Sequence, residues 1–166
     1  MIHRPAAACA AALAVGALAA SVESTASTGP NEQIRSLAGR WAGEGRVLPA
    51  RGSAEAFKCV VTYFPSNDGA AVRQNLRCQS SNYKLDAATE LTISGQRVSG
   101  RWEDNINALT GSIAGQVTPD GFDIELQGRF FQANMVVVST KCEQSVTVTP
   151  ARADYIRELS ASLKKC

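Results

Sequence analysis

FKCVVTYFPSNDGAAVRQNLRC, residues 57–78, is the stretch of sequence that decides the fold. Apolar and polar residues alternate on both sides of Asp68-Gly69, and each side carries one cysteine. Alternation predicts strands with one buried face, and Asp-Gly between two such runs predicts a β-hairpin. A two-residue turn would place Cys59 opposite Cys78. Pro65 favours a slightly longer turn, because its nitrogen cannot donate to a ladder, but a longer turn of the same parity keeps both sulfurs on one face.

Alternating runs continue on both sides of this hairpin, separated by turn signals such as Gly95-Gln96 and Pro119-Asp-Gly121. Short strands at close spacing predict an all-β protein, an antiparallel meander of about 8–10 strands. Closure into a small barrel removes the exposed edges of such a sheet, and the glycines at inward positions fit its curvature. A two-layer sandwich is the alternative architecture.

The C-terminal segment, residues 150–166, predicts an α-helix packed on the barrel. Thr149 can cap it and Pro150 stands at the tolerated first position. Its apolar residues recur at helical spacing: Ile156, Leu159, Leu163 and Cys166.

The N-terminal segment predicts export. A basic start is followed by an Ala-rich apolar run and small residues, which is typical of a secretory signal peptide over residues 1–20; a membrane anchor is the alternative. Residues 21–30 then form a flexible leader, and the β-barrel domain covers 31–149, with the C-terminal helix belonging to the same domain. We therefore expect a periplasmic or secreted protein that is not integral to the membrane.

Charge and histidine content exclude several classes of function. Lys and Arg number 17 against 15 Asp and Glu, so the chain has no strong positive field for nucleic acid. His3 is the one histidine in the sequence, and it would be lost with the signal peptide. Its loss excludes Ser-His-Asp catalysis and His-ligated zinc. We expect no cofactor, no metal site and no enzymatic activity.

The cysteine count predicts two disulfides. The chain has five cysteines, of which Cys9 lies in the predicted signal peptide. An even number in an exported protein favours disulfide pairing. The hairpin pairs Cys59 with Cys78 and leaves Cys142 for Cys166.

Gly39-Arg40-Trp41 stands at the start of the first predicted strand, after a short helical turn at 31–37. This triplet resembles the Gly-x-Trp of the lipocalin/calycin superfamily, and so does the order of signal peptide, meander and C-terminal helix. The resemblance implies a lipocalin-like barrel that binds a small apolar or amphipathic ligand. Small bacterial protease-inhibitor barrels also begin with a Trp-bearing strand and carry a hairpin disulfide. They imply an alternative, inhibition through the N-terminal segment 21–38.

Two sets of residues are candidate binding sites. Five inward positions are large enough to line a pocket, although such residues more often fill a core: Trp41, Tyr63, Trp102, Phe122 and Met135. Four arginines fall on the opposite phase and would form an outward basic stripe, with a plain solvated face as the alternative: Arg73, Arg77, Arg97 and Arg101. Through that stripe the chain would act as a structural envelope protein that contacts a partner.

Residues 103–107 predict a plain turn rather than a calcium loop, and Asp123 and Glu125 predict solvated carboxylates rather than a glycosidase pair.

Overall fold

The structure is a computed structural model that describes residues 29–152 and 155–165. Within these ranges, one short helix precedes ten strands. The elements are α1 (Pro30–Ser36), β1 (Gly39–Pro49), β2 (Glu55–Pro65), β3 (Ala71–Gln79), β4 (Lys84–Ser94), β5 (Arg97–Asp104), β6 (Leu109–Thr118), β7 (Gly121–Gly128), β8 (Gln132–Ser139), β9 (Glu143–Pro150) and β10 (Ile156–Lys164).

The ten strands form a closed antiparallel barrel in which each strand pairs with its neighbours along the chain and β10 pairs with β1. The predicted barrel is thus confirmed. Along each strand the buried residues alternate with exposed ones, as in β2, where Phe57, Cys59, Val61 and Tyr63 are buried. Closure leaves no strand edge with free backbone groups, which explains why a chain of many short strands forms a stable sheet.

The hairpin of β2 and β3 has the register that its sequence predicted. Cys59 lies directly opposite Cys78, and the two form a disulfide. The ladder ends with Pro65 opposite Val72, and the turn between them is stabilised by Asp68, which accepts hydrogen bonds from the Ser66 hydroxyl and the Ala70 amide. The turn is therefore longer than two residues, as Pro65 requires.

The predicted C-terminal helix is wrong. Thr149 and Pro150 belong to β9, and Ile156–Lys164 is the tenth strand. Leu159, Ala161 and Leu163 face inward with the two-residue period of a strand. The spacing of Leu159 and Leu163 fits a helix as well, and for that reason the sequence pattern predicted one. A strand here supplies the ladder that joins β9 to β1, so the need to close the barrel overrides local helix preference.

Helix α1 covers one end of the barrel, which we call the closed end. Ile34 and Leu37 are buried in the core, and the indole of Trp41 donates a 2.9 Å hydrogen bond to the Leu37 carbonyl. Lys165 donates to the Ser36 carbonyl at 2.9 Å and lies 5.5 Å from the Trp41 ring centroid. These contacts fix the helix against the ends of β1 and β10.

Several predictions fall on residues outside the described ranges. They include the signal peptide at 1–20 and most of the leader at 21–30. The pairing of Cys142 with Cys166 also stays a prediction, because Cys166 lies outside them, but Cys142 is not a free thiol.

Candidate functional site in the open half of the barrel

The two ends of the barrel differ because antiparallel strands place alternate connections at opposite ends. The turns after β2, β4, β6 and β8 lie at the closed end with α1. The connections after β1, β3, β5, β7 and β9 lie at the other end, which we call the open end. Among the residues described there, no helix covers the interior as α1 does.

The five predicted lining residues divide between these ends. Trp41, Tyr63 and Phe122 are buried in the core, whereas Trp102 and Met135 are partly exposed and pack against its edge. The first three therefore fill space, and only the latter two line a surface that a ligand can reach.

A layer of polar contacts lies inside the barrel near its closed end. The Tyr63 hydroxyl donates a 3.0 Å hydrogen bond to Gln144 Oε1, and the Gln144 side-chain amide donates to the Ser139 hydroxyl at 2.9 Å. Burial raises the pKa of Tyr63 to about 12, against which the Gln144 hydrogen bond acts weakly. The buried phenol and amide satisfy each other, so neither is available to bind a ligand.

The open half has an apolar inner wall that is not fully covered. Seven hydrophobic side chains point inward toward this half or its boundary, yet remain partly exposed: Val47, Leu76, Trp102, Leu126, Met135, Val146 and Leu159. On one side the wall is filled, because Phe57 and Cys59 are buried there. The remaining wall is an apolar surface in contact with water, which is the usual character of a small-ligand site.

Trp102 is the largest side chain of this wall, and two glycines leave the space that its indole occupies. A Cβ on Gly111 would lie 2.5 Å from the indole Nε1, and one on Gly128 would lie 3.0 Å from Cζ2. Both glycines are on the inner face, opposite each other and in line with Trp102. The indole therefore lies over the backbone of β6 and β7, where any side chain would displace it. Phe131 contacts it edge-on, with ring centroids 6.5 Å apart.

The Trp102 Nε1 is a buried donor without an acceptor among the described residues. Buried donors in native proteins are nearly always paired, and an unpaired one costs about 1–3 kcal/mol. Because the atom itself is buried, a water molecule or a ligand oxygen would satisfy it after a shift of the indole away from Gly111. Trp102 thus combines an apolar ring with one unused hydrogen bond.

Two polar residues of the inner wall were missed by the sequence reasoning. Gln74 lies opposite Thr89, and Thr89 lies opposite Trp102, so the three form a row on the inner face. Both are partly exposed. The available signal was their phase, since Gln74 alternates with Val72 and Leu76, but polar residues on an apolar phase were not considered as lining.

The predicted basic stripe is interrupted by acids. Arg77 pairs with Asp86 at 3.3 Å and Arg101 pairs with Glu90 at 2.5 Å, and all four are on the outer surface. Arg73 lies 5.7 Å from the Phe64 ring centroid, and Arg97 is exposed at the closed end. The structure therefore places the four arginines on the outer wall without bringing them together into one positive patch.

An outer groove of about 740 Å³ crosses β6 to β9 and contains Asp123 and Glu125. Asn134 donates to Asp123 at 3.1 Å, and Gln127 and Gln132 donate to Glu125. The hydrogen bond from Gln127, and then that from Gln132, lowers the pKa of Glu125. A glycosidase acid requires a raised pKa, and the lowered pKa of Glu125 is the opposite of that requirement.

The turn at 103–107 uses its oxygens internally. Asp104 accepts hydrogen bonds from the Ile106 amide at 3.0 Å and from the Asn107 side chain. Burial raises the pKa of Asp104, but the hydrogen bonds outweigh it and hold the pKa below its usual value. Within residues 29–152 and 155–165, no three His, Cys, Asp or Glu side chains are grouped as a metal site would need.

Part of the predicted inhibitory segment 21–38 belongs to the folded domain, because Ile34 and Leu37 are buried in its hydrophobic core. Residues 21–28 lie outside the described ranges. Within those ranges, no helix has the length and hydrophobicity needed to span a bilayer.

No protein-family model and no curated protein matches the sequence. Among solved structures, the chain is similar to the S-type phycobiliprotein lyase from Guillardia theta, with a TM-score of 0.60 and 11% identity over 82% of this chain and 91% of that one. At this identity the likeness concerns the fold. It contradicts our expectation that the chain is not an enzyme, because a barrel of the same fold belongs to a lyase.

Proposed function

We propose that this protein binds a small apolar or amphipathic ligand in the open half of its barrel. The observation that carries the proposal is Trp102, whose indole lies over Gly111 and Gly128 at an apolar wall and keeps its Nε1 without an acceptor among the described residues. Apolar surface that faces inward but is open to water gains free energy when a ligand covers it, by roughly 25 cal/mol per Å². The likeness to a phycobiliprotein lyase supports a ligand-binding use of this fold.

The polar row beside the indole indicates an amphipathic ligand. Gln74 and Thr89 supply amide and hydroxyl groups next to Trp102. A ligand with a carbonyl or carboxylate oxygen would accept from Nε1 and from these side chains, while its apolar part packs against Leu126 and Met135. Satisfying a buried donor adds specificity that a purely apolar molecule cannot provide.

The two tryptophans of the chain allow a direct test. Dibromostearic acid quenches indole emission on contact, and Trp41→Phe and Trp102→Leu variants each leave one emitter. We expect saturable quenching in Trp41→Phe, where Trp102 emits, and little in Trp102→Leu, where the buried Trp41 emits. The neutral dye N-phenyl-1-naphthylamine should bind the native protein and be displaced by stearic acid.

If neither probe binds, or if quenching reaches Trp41 as strongly as Trp102, the open half is not a ligand site. Gln74→Leu provides a second measure. It should leave dye binding unchanged but weaken the carboxylate ligand by roughly three- to tenfold, the usual value of one hydrogen bond.

We further propose that the chain is an exported, distant member of the calycin superfamily, with residues 1–20 as a signal peptide and 21–30 as a leader. The Cys59–Cys78 disulfide supports an oxidising compartment, and Gly39-Arg40-Trp41 at the start of β1 supports the family. N-terminal sequencing of protein from the native cell tests the export, since a first residue before position 20 would contradict cleavage there.

A further inference from the structure

Exposed hydrophobic side chains gather at the open end of the barrel. We call the residues described in the connections at this end, 50–54, 80–83, 105–108, 129–131, 151–152 and 155, the open rim. Three of its aromatic side chains are among the most exposed of the molecule: Tyr83 at 64%, Phe130 at 83% and Tyr155 at 86%. Ile106 and Phe131 are also exposed there, and Leu109 lies beside them at the start of β6.

The closed end differs sharply in this respect. Its turns at 66–70, 95–96, 119–120 and 140–142 carry no exposed large hydrophobic residue in the described structure. Phe64 and Val138, the nearest ones along the chain, belong to the outer walls of β2 and β8, and Phe64 is covered on one side by Arg73. Exposed apolar groups concentrated at one end of a molecule mark an interaction surface.

The charged residues described in the open rim are Arg51, Arg129 and Arg152. The connection that holds Arg152 also contains Asp154 in the sequence, outside the described residues, so the five connections carry three positive charges against one negative charge. Arg129 lies 5.1 Å from the Phe130 ring centroid, so cation and ring project together. The acid Glu55 stands beside the rim at the start of β2 and is engaged by the Asn82 amide and side chain.

We propose that the open rim docks on an anionic phospholipid surface. Aromatic side chains with one polar edge, interleaved with arginines, match the boundary between headgroups and acyl chains, where Tyr and Trp collect and cations meet lipid phosphate. A protein partner would give the cations discrete acidic counterparts, whereas a lipid surface needs only an excess of positive charge at this end of the barrel. The inference rests on the proposed function for its purpose, because docking would set the mouth of the ligand site on a source of amphipathic molecules.

Vesicle sedimentation tests the docking with the full chain. We expect binding to vesicles of phosphatidylcholine with phosphatidylglycerol at a 7:3 ratio, weaker binding to pure phosphatidylcholine, and loss of the difference at high salt. An arginine near an anionic surface contributes a factor of about five to partitioning. The triple variant Arg51→Gln/Arg129→Gln/Arg152→Gln should therefore partition roughly a hundredfold less.

The control is a triple variant with the same change of net charge at the other end: Arg40→Gln/Arg73→Gln/Arg97→Gln. All three of its sites are exposed near the closed end. Phe130→Ser and Phe64→Ser form a second matched pair, and only the former should weaken binding. Because every variant keeps the same residues 1–28, any contribution of that segment cancels.

Equal losses in the two triple variants would overturn the docking, and so would equal binding to neutral and anionic vesicles or binding to neither. Self-association of the protein through the open rim, seen by light scattering and removed by Phe130→Ser, would also overturn it in favour of a protein contact. Ligand binding is measured separately with dibromostearic acid in vesicle-free solution. A rim variant that binds this acid normally but not vesicles separates the two proposals.

Discussion

Gly128 and Trp102 provide the sharpest test of how the inner wall is built. We consider Gly128→Val, which would place a branched side chain under the benzo edge of the indole. A Cβ at this position would already lie 3.0 Å from Cζ2 and 3.4 Å from Cη2 of Trp102, and 3.3 Å from the Thr110 carbonyl oxygen. Two further methyl groups cannot fit unless the indole moves.

The expected cost follows from these distances. Overpacking of a formed core lowers the free energy of unfolding by about 1–3 kcal/mol, which we expect for Gly128→Val. Trp102→Leu removes the indole and leaves space over β6 and β7, at a cost of about 1–3 kcal/mol for a side chain that is only partly buried. In the double variant the valine occupies space that the indole has left. The free-energy loss in the double variant should therefore be smaller than the sum of the two single losses, by about 1 kcal/mol or more.

The assay is guanidinium unfolding followed by far-ultraviolet circular dichroism, because fluorescence changes with the tryptophan content. Gly115→Ala is the matched control. A Cβ there would meet the Asp123 carbonyl oxygen at 2.3 Å and the Ile124 Cα at 2.6 Å, and Trp102 is not among its nearest atoms. Its loss should add to that of Trp102→Leu. If the Gly128→Val and Trp102→Leu losses also add within about 0.5 kcal/mol, the indole does not lie over Gly128 as the structure has it.

Three further predictions concern stability. The double variant Cys59→Ala/Cys78→Ala should lose roughly 3 kcal/mol in denaturant unfolding, because the disulfide closes a loop of 19 residues in sequence separation. Since the pKa of Tyr63 rises to about 12 in the fold, its contribution is fully present below pH 10, and up to about 3 kcal/mol is lost as pH rises to 12, a loss that Tyr63→Phe should remove. Because the pKa of Asp104 is lowered, Asp104→Asn should destabilise the protein at pH 7, and its difference from the native chain should shrink as pH falls through the carboxyl range.

Residues 57–78 show how far local sequence determines this fold. Their alternation fixes which side chains face inward, and Pro65 with Asp68-Gly69 fixes where the chain reverses, so the register and the disulfide followed from the sequence. Both depend on contacts between residues close along the chain, which local pattern records well.

The C-terminal strand shows the limit of the same reasoning. Ile156, Leu159 and Leu163 satisfy helical spacing, and Leu159 and Leu163 equally satisfy strand alternation. The decision depends on β1, which is more than a hundred residues earlier in the chain and offers its free edge to β10. No local pattern contains that information, because the pairing of β10 with β1 exists only when the whole barrel closes.

The sequence predicted which residues of the candidate site face inward, but not which of them remain exposed. Trp41 and Trp102 both stand on inward positions of a strand and have the same apolar appearance in sequence. They differ because α1 covers Trp41, whereas the wall around Trp102 stays partly exposed. Inward direction is a property of one strand, but occupancy of the interior is a property of all ten strands and the helix together.

The two ends of the barrel together limit the ligand. The buried layer of Tyr63 and Gln144 is closed by its own hydrogen bond and by α1, so a molecule that enters from the open end must stop above it. Above that layer, core side chains such as Val61 and Ile113 already fill the middle of the barrel. The space at the open end suits one ring system or a short acyl segment beside Trp102. A longer amphipathic molecule would extend past the open rim, where Phe130 and Arg129 project, so the same ligand would contact both the inner wall and the surface that we propose to dock on lipid.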